Sequence, residues 1–167
     1  MLFSTDIVLT NDDGIEAEGL CKLADVLTPL TDGTVYVVAP SKGYSGCSQQ
    51  VTMHGPMAVA ELGKNRFAVD GSPADCVRLA LTFFAPNCGL VLSGINHGGN
   101  LGHDILLSGT VGAARESAML GVNAIGVSQY FQGREESNDW VLSAQKAVKG
   151  MEAIMAQGLG EGGALWN

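Results

Sequence analysis

The sequence predicts an α/β fold of three layers, αβα, in which helices cover both faces of a mainly parallel sheet. Apolar, β-rich runs alternate with helical patterns along most of the chain, which is the order of βαβ units. The run Val35–Ala39, VYVVA, is almost entirely β-branched or aromatic, as in a strand that is buried on both faces. Of the 167 residues, 46% are hydrophobic and 16% are charged, which excludes a disordered chain.

The first predicted strand, Asp6–Thr10, ends in an Asn-Asp-Asp-Gly turn. Apolar residues then recur at helical spacing over residues 20–27, and Pro29 closes that helix. The second strand, Val35–Ala39, is followed by a polar loop from residue 41 to about residue 55. A loop of this length is uncommon as a plain connector, so it is a candidate for function.

A small hairpin is expected next, with strands at Met57–Ala60 and Arg66–Val69 joined around residues 63–65. The sequence Ser-Pro-Ala-Asp at residues 72–75 combines an N-cap serine, a proline at the first helical position and an acid for a capping box. We therefore expect a helix from this cap to about Phe84.

The second half of the chain continues the alternation. The elements expected there are a strand at Leu90–Ser93, a glycine-rich loop to Leu107, a helix from Gly109 or Thr110 to Leu120, a strand at Ala124–Ser128 and a helix at Asn138–Ala156. No internal repeat or low-complexity linker interrupts the pattern, so residues 1–167 are expected to form one Rossmann-like domain.

The charge and the cysteines exclude several classes of function. Seventeen acids against nine bases give a net charge of −8, so long nucleic acid is not expected as a partner. The N-terminal residues lack the features of a secretory leader, and no apolar run reaches the roughly eighteen residues of a membrane span. We expect a cytoplasmic protein with no membrane partner. The four cysteines form no CxxC motif, so a zinc cage is not expected.

Three loops that follow strands carry unusual polar residues. In Asn11-Asp12-Asp13-Gly14, the two adjacent carboxylates repel each other unless a cation such as Mg²⁺, Mn²⁺ or Ca²⁺ lies between them. A plain surface turn is the alternative interpretation. The run SGINHGGNLG at residues 93–102 places two asparagines among glycines, which suits a backbone close to a ligand. The alternative there is a flexible loop.

The third loop, Ser108-Gly109-Thr110, begins a helix, and exposed N–H groups make such a start a natural anion site. Simple N-capping, which any helix needs, is the better interpretation of this loop taken by itself. Lys42 is a candidate phosphate partner, and His97 and His103 are candidate proton shuttles, although solvated or uninvolved side chains are the better interpretation for each. The fingerprints GxGxxG and GxxxxGK[ST] are absent.

About residues 6–128 contain, in this order, the runs IVLTNDDGIEAEGL, VYVVAPSKGYSGCS, GSPADCVRLAL, LVLSGINHGGNLGHDILLSGTVGAARESAMLG and IGVS. Together these runs resemble the SurE survival-protein family. The resemblance implies a metal-dependent phosphatase of nucleoside monophosphates, a 5′/3′-nucleotidase. The combination of NDDG with SGIN and SGTVGAA is much more specific than any one of these motifs.

The resemblance also implies the site residues. One divalent cation per subunit, Mg²⁺ or Mn²⁺, is expected on Asp12, Asp13, Ser45 and Asn96. The substrate and its phosphate are expected on Asn11, Asn100, Ser108, Gly109 and Thr110. Two charged and two neutral oxygen ligands leave octahedral positions for water and phosphate, as Mg²⁺ prefers.

The expected reaction is metal-assisted attack of water on a phosphate monoester. Whether Asp12 or Asp13 also acts as a base or nucleophile stays open at this point. A haloacid dehalogenase-like phosphatase predicts a DxD motif, and the adjacent acids of NDDG count against it. A broader phosphomonoesterase and a catalytically weak nucleotide-binding or regulatory subunit are the remaining alternatives.

Six positions depart from the family's usual pattern and bear on substrate preference: Glu16, Glu18, Lys42, Tyr44, His103 and Leu107. Family members continue with a further strand and an arm used in oligomer contacts. The last residues here, Ala164–Asn167, are expected where that strand begins. A homodimer or homotetramer is expected from the resemblance.

Overall fold

The computed structural model describes residues 3–130, 139–158, 160 and 162–167. In this part of the chain seven strands form one sheet: β1 (Asp6–Thr10), β2 (Val35–Pro40), β3 (Val59–Gly63), β4 (Arg66–Val69), β5 (Cys88–His97), β6 (Asn123–Gln129) and β7 (Leu165–Trp166). Their order is β3-β4-β2-β1-β5-β6-β7, and every neighbouring pair is parallel except the β3–β4 hairpin.

Helices lie on both faces of the sheet, with bounds α1 (Glu18–Leu27), α2 (Pro73–Leu79), α3 (Asp104–Leu107), α4 (Gly109–Met119) and α5 (Trp140–Ala156). A 3₁₀ turn containing Pro29 follows α1, and a π-helical turn, Ala80–Phe84, follows α2. Helices α1 and α5 pack together on one face, and α2 and α4 on the other. The predicted three-layer α/β fold is confirmed. None of the described helices is both long and apolar enough to cross a membrane.

The central strands are buried on both faces, which explains their nearly continuous apolar sequences. In β1, Ile7 belongs to a cluster with residues of α1 and α5, among them Leu20. The next residue, Val8, belongs to a second cluster, with Val77 of α2 and residues of α4. Because successive side chains of a strand point to opposite faces, one apolar strand supplies both halves of the core.

The capped helix begins as predicted. The Ser72 hydroxyl accepts a hydrogen bond from the Asp75 N–H at 3.1 Å, and the Asp75 carboxylate accepts one from the Ser72 N–H at 3.0 Å. This reciprocal pair satisfies two N–H groups that a helix start otherwise leaves without partners. Helical structure continues to Phe84, although its last turn is a π-helix.

Strand β5 is longer than predicted. It continues beyond Ser93 to His97, so the expectation that a loop begins at Ser93 is wrong for residues 94–97. The physical reason is pairing with β6, in which Asn96 lies opposite Ser128 and His97 opposite Gln129. The register shifts between Ser93 and Asn96, the stretch that contains Gly94. The glycine-rich loop proper therefore begins after His97.

The hairpin strand β3 also lies later in the chain than predicted. Its turn consists of Lys64 and Asn65 alone, with Asn65 at a φ of 58°, which asparagine tolerates. Pairing therefore extends to Gly63, opposite Arg66. Met57, the predicted first residue of that strand, lies outside it.

Two helices and the last strand also bear on the predicted elements. The short helix α3 was not predicted. Helix α5 begins at Trp140, with Asp139 as its N-cap, and the predicted first residue, Asn138, lies outside the described residues. The last strand, β7, lies within Ala164–Asn167, where a strand was expected to begin.

The strand order places a switch point at the centre of the sheet. From β1 the chain moves to β2 on one side, whereas from β5 it moves to β6 on the other side. In open α/β sheets, a crevice opens at the carboxyl ends of two such neighbouring strands. The Asn11–Gly14 turn after β1 and the residues around Asn96 in β5 lie at this point.

Candidate active site at the carboxyl ends of β1 and β5

The turn after β1 is closed by its own first side chain. The Asn11 amide nitrogen donates to the Gly14 carbonyl at 2.8 Å, and its amide oxygen accepts from the Gly14 N–H at 3.2 Å. Gly14 has a φ of 109°, a conformation that favours glycine. Asn11 is fully buried, so its observed role is to close the turn. The expected contact between Asn11 and substrate stays a prediction.

Asp12 is a buried carboxylate with hydrogen-bond partners that are neutral. It is only 4% exposed, and the Thr110 hydroxyl donates a hydrogen bond to its Oδ1 at 2.6 Å. Burial raises the pKa of Asp12, the Thr110 hydrogen bond lowers it, and the neighbouring Asp13 charge raises it, with a net increase. A Cβ at Gly109 would lie 2.8 Å from the Asp12 Cβ, so glycine permits this close approach.

Asp13 connects the ends of β1 and β5. Its Oδ2 accepts a hydrogen bond from the His97 N–H at 3.0 Å. The two strands are hydrogen-bonded neighbours, so this bond extends their pairing beyond the last residue of β1. Asp13 lines a pocket of about 270 Å³ that also includes His97.

A cleft of about 250 Å³ adjoins this pocket. It is lined by five of the predicted site residues: Asp12, Ser45, Asn96, Asn100 and Ser108. His97 lines both the cleft and the Asp13 pocket. The structure therefore places polar residues from each of the three predicted loops in one cleft, with Asp13 in the pocket beside it.

Sequence reasoning missed two residues of the cleft. Asp104 was noted only as part of a family motif, and Leu107 only as a departure from it, yet both line the cleft. They lie at the two ends of α3, the helix that was not predicted. Because no local pattern indicated α3, the sequence offered no signal for Asp104 beyond the family motif.

Two asparagines of the cleft are held by their amide nitrogens. Asn96 donates to the Gly98 carbonyl at 2.8 Å, and Asn100 donates to the Ser128 hydroxyl at 2.8 Å. In the described part of the chain, the amide oxygen of Asn96 and the hydroxyl of Ser45 accept no hydrogen bond. Both oxygens thus retain the capacity to bind a ligand.

The start of α4 serves the helix and the site together. The Ser108 hydroxyl accepts from the Val111 N–H at 3.1 Å, so this residue is an N-cap, as the simpler interpretation held. Thr110 is fully buried, and its hydroxyl is donated to Asp12. Neither Gly109 nor Thr110 lines the cleft, so their expected contacts with phosphate stay a prediction.

Most other polar candidates lie outside the cleft. The exposed Lys42 ammonium is 3.9 Å from the Asp70 carboxylate. His103 is exposed, with its imidazole 3.5 Å from Asp104. His54, in the loop between β2 and β3, is exposed.

The donor set fits a hard divalent cation. No group of three His, Cys, Asp or Glu side chains that could hold a metal exists among the described residues, so the candidate set is two carboxylates with neutral oxygens. Among the described residues that line the cleft, none is a lysine or an arginine. A buried carboxylate beside a second one is costly without a compensating cation, and oxygen-only ligands suit Mg²⁺ or Mn²⁺.

The sequence model of the family described as "Survival protein SurE" matches residues 7–167. The chain belongs to the SurE family. "5'-nucleotidase SurE" of Geotalea daltonii is 44% identical over 156 residues, which are 92% of this chain and 60% of that protein. "5'-nucleotidase SurE 1" of Burkholderia lata is 47% identical over 130 residues, 77% of this chain and 50% of that protein.

The fold agrees with a solved SurE structure. The crystal structure of the SurE protein from Aquifex aeolicus superposes with a TM-score of 0.83 at 35% sequence identity. The match covers 92% of this chain and 61% of that chain. This SurE chain thus spans about 60% of the length of the G. daltonii relative and of the A. aeolicus structure.

Proposed function

We propose that this SurE-family chain is a divalent-metal-dependent phosphatase of nucleoside monophosphates, a 5′/3′-nucleotidase. The observation that carries the proposal is the buried Asp12 carboxylate beside Asp13 at the switch point of the sheet. The names of the G. daltonii and B. lata relatives, both 5′-nucleotidases, support the substrate class.

In this proposal, Asp12, Asp13, Ser45 and Asn96 hold one Mg²⁺ or Mn²⁺ ion. When bound, the ion supplies positive charge to the phosphoryl oxygens and acidifies water for attack on phosphorus. The structure supports the assignment because Asp12, Ser45 and Asn96 line one cleft, and Asp13 is tied to its edge through the His97 N–H.

The chain's own groups orient the phosphate. The N–H groups at the start of α4 carry the positive end of the helix dipole, and Ser108 places this end at the cleft. Asn100 is oriented by its bond to Ser128, and among the described residues its amide oxygen and second N–H make no other hydrogen bond, so both can meet a ligand. Fixed donors of this kind stabilise charge that develops in the transition state.

The substitution Asp12→Asn tests the proposal. It keeps the size of the side chain but removes the charge, and we expect metal-dependent phosphate release to fall by more than about a hundredfold. The matched control is Asp25→Asn, which removes an exposed aspartate on α1 that pairs with Lys22. The control should retain the parent activity. Unchanged release by Asp12→Asn, in a folded protein, would refute the metal assignment.

A further inference from the structure

Ser45 lies on a loop at the cleft, and its own side chain does not fix its position. Its side chain is exposed, and within the described residues its hydroxyl has no hydrogen-bond partner. On the near side, the Tyr44 N–H donates to the Asp12 carbonyl at 2.7 Å, and a turn closes where the Cys47 N–H meets the Tyr44 carbonyl at 3.2 Å. The position of Ser45 therefore depends on what holds both ends of this turn.

The far end of the turn is fixed to α3 and α4. The Ser48 N–H donates to the Leu107 carbonyl at 2.8 Å, and the Ser48 hydroxyl to the Leu106 carbonyl at 2.7 Å. A Cβ at Gly112 of α4 would clash with the Ser48 carbonyl oxygen, so this glycine lets the loop lie directly on the helix.

The next residue, Gln49, reaches a buried charge. Its amide nitrogen donates to Oε2 of Glu116 on α4 at 2.7 Å. Glu116 is only 2% exposed, and its other oxygen, Oε1, accepts from the Arg78 Nε of α2 at 2.6 Å. One carboxylate thus joins the two helices of this face to the loop that carries Ser45. Without Gln49, Oε2 would lose this donor, which is costly for a buried charge.

We propose that Gln49 and Glu116 are positioning residues for the cation site. The Glu116 carboxylate, itself fixed by Arg78, holds Gln49 and with it the turn, so that the Ser45 hydroxyl points into the cleft. This inference rests on the proposed function, because it assigns the loop to the site that would bind the metal. The competing explanation is that Glu116 only stabilises the fold. Its ion pair with Arg78 would do so whether or not Gln49 is present.

Gln49→Ala separates the two explanations, because it leaves the Arg78–Glu116 pair in place. Gln50→Ala is the matched control: it is the same change at the next residue, whose side chain makes no hydrogen bond in the described structure. Binding of Mn²⁺ to the protein is measured directly, from the electron paramagnetic resonance signal of the free ion. Thermal unfolding midpoints are measured on the same samples in chelator.

We expect Gln49→Ala to raise the Mn²⁺ dissociation constant about three- to tenfold, part of the effect of losing one hydrogen bond to a charged group. Its unfolding midpoint should fall by about 2–10 °C relative to that of Gln50→Ala, because Oε2 of the buried Glu116 loses its donor, so Mn²⁺ binding is measured well below that midpoint, where the chain stays folded. Gln49→Lys, which restores an N–H donor opposite Glu116, should bind Mn²⁺ within about twofold of the parent chain.

Equal Mn²⁺ affinity in Gln49→Ala, Gln50→Ala and the parent chain would overturn the positioning role while leaving the metal proposal intact. So would a Gln49→Lys variant that binds as weakly as Gln49→Ala. A parent chain that binds no Mn²⁺ would instead overturn the metal site itself, and with it this inference.

Discussion

At the scale of single residues, the site is organised around the environment of Asp12. Its carboxylate lies out of water, accepts a hydrogen bond from the Thr110 hydroxyl and has a second carboxylate beside it. Each of these features acts on the free energy of the charged form, and burial is the largest. Without a cation, a charged Asp12 therefore destabilises the folded chain.

This environment predicts a pH-dependent gain in stability for Asp12→Asn in chelator. Burial raises the folded-state pKa of Asp12 above its ordinary value of 3.8. Above the folded pKa the side chain is charged in both states, and the folded state bears the desolvation cost. Below 3.8 it is neutral in both states, and the cost is absent. The variant should therefore unfold at higher urea than the parent at neutral pH, with a difference that shrinks as the pH falls toward 3.8.

Urea unfolding curves at several pH values check this expectation. The exposed control Asp25→Asn should stay within about 0.5 kcal/mol of the parent throughout. If the metal-free Asp12→Asn chain were less stable than the parent at neutral pH, the cost assigned to the buried charge would be wrong.

The sequence reached some of these residues and not others for a physical reason. Two adjacent acids in a glycine turn after a strand are unusual enough to indicate a cation site, so Asp12 and Asp13 were within reach. The bond between Thr110 and Asp12 joins residues 98 positions apart, which no local pattern encodes. The amide of Asn11 has the same chemistry whether it closes a turn or meets a ligand, so only the fold distinguishes the two.

At the scale of elements, pairing between strands that are distant in the chain determined element boundaries that local sequence patterns did not predict. Glycine in the run after Ser93 predicts the end of a strand, yet β5 continues because β6 lies alongside to pair with it. Helix α3 has four residues and no apolar period, so no pattern indicated it. The capping box of α2 was predictable because all of its groups lie within one turn.

The close packing of the start of α4 against the turn after β1 predicts that a glycine there is needed, whereas a glycine elsewhere is not. An alanine Cβ at Gly109 would lie 2.8 Å from both the Asp12 Cβ and the Cys47 Sγ, so Gly109→Ala should cost about 1–3 kcal/mol of stability. At Gly150, inside α5, an added Cβ meets nothing within 4 Å. Gly150→Ala should therefore stabilise the chain by about 0.5–1 kcal/mol.

Urea unfolding of the two variants side by side measures both effects. Because both variants replace a helical glycine with alanine, the difference in their stability reports the contacts of the added carbon with Asp12 and Cys47. Equal stability of Gly109→Ala and Gly150→Ala would show that the junction tolerates the added carbon.

At the scale of the whole molecule, the strand order determines where chemistry is possible. The alternation of strands and helices predicted the layers, but not which strands are neighbours, because pairing between distant segments leaves no local trace. The general rule for α/β sheets still located the site, since the predicted loops follow strands whose carboxyl ends meet at one crevice. Topology thus brings residues of three separate motifs to one candidate site.

The overall negative charge leads to the expectation that phosphate binding needs a cation. A chain with a net charge of −8 repels a phosphate dianion, and among the described cleft residues no lysine or arginine offsets this. Binding a phosphate monoester beside Asp12 and Asp13 therefore requires positive charge from elsewhere. In the proposed function, a divalent cation on the oxygen ligands of the cleft would supply it.

The most direct test is phosphate release from nucleoside 5′- and 3′-monophosphates with Mn²⁺, with Mg²⁺ and with a chelator. We expect release from at least one nucleoside monophosphate in the presence of metal and none in chelator. Release that continues undiminished in chelator would contradict the metal-dependent mechanism. A folded chain that binds Mn²⁺ but releases no phosphate from any of these substrates would contradict the enzymatic function and indicate a nucleotide-binding role.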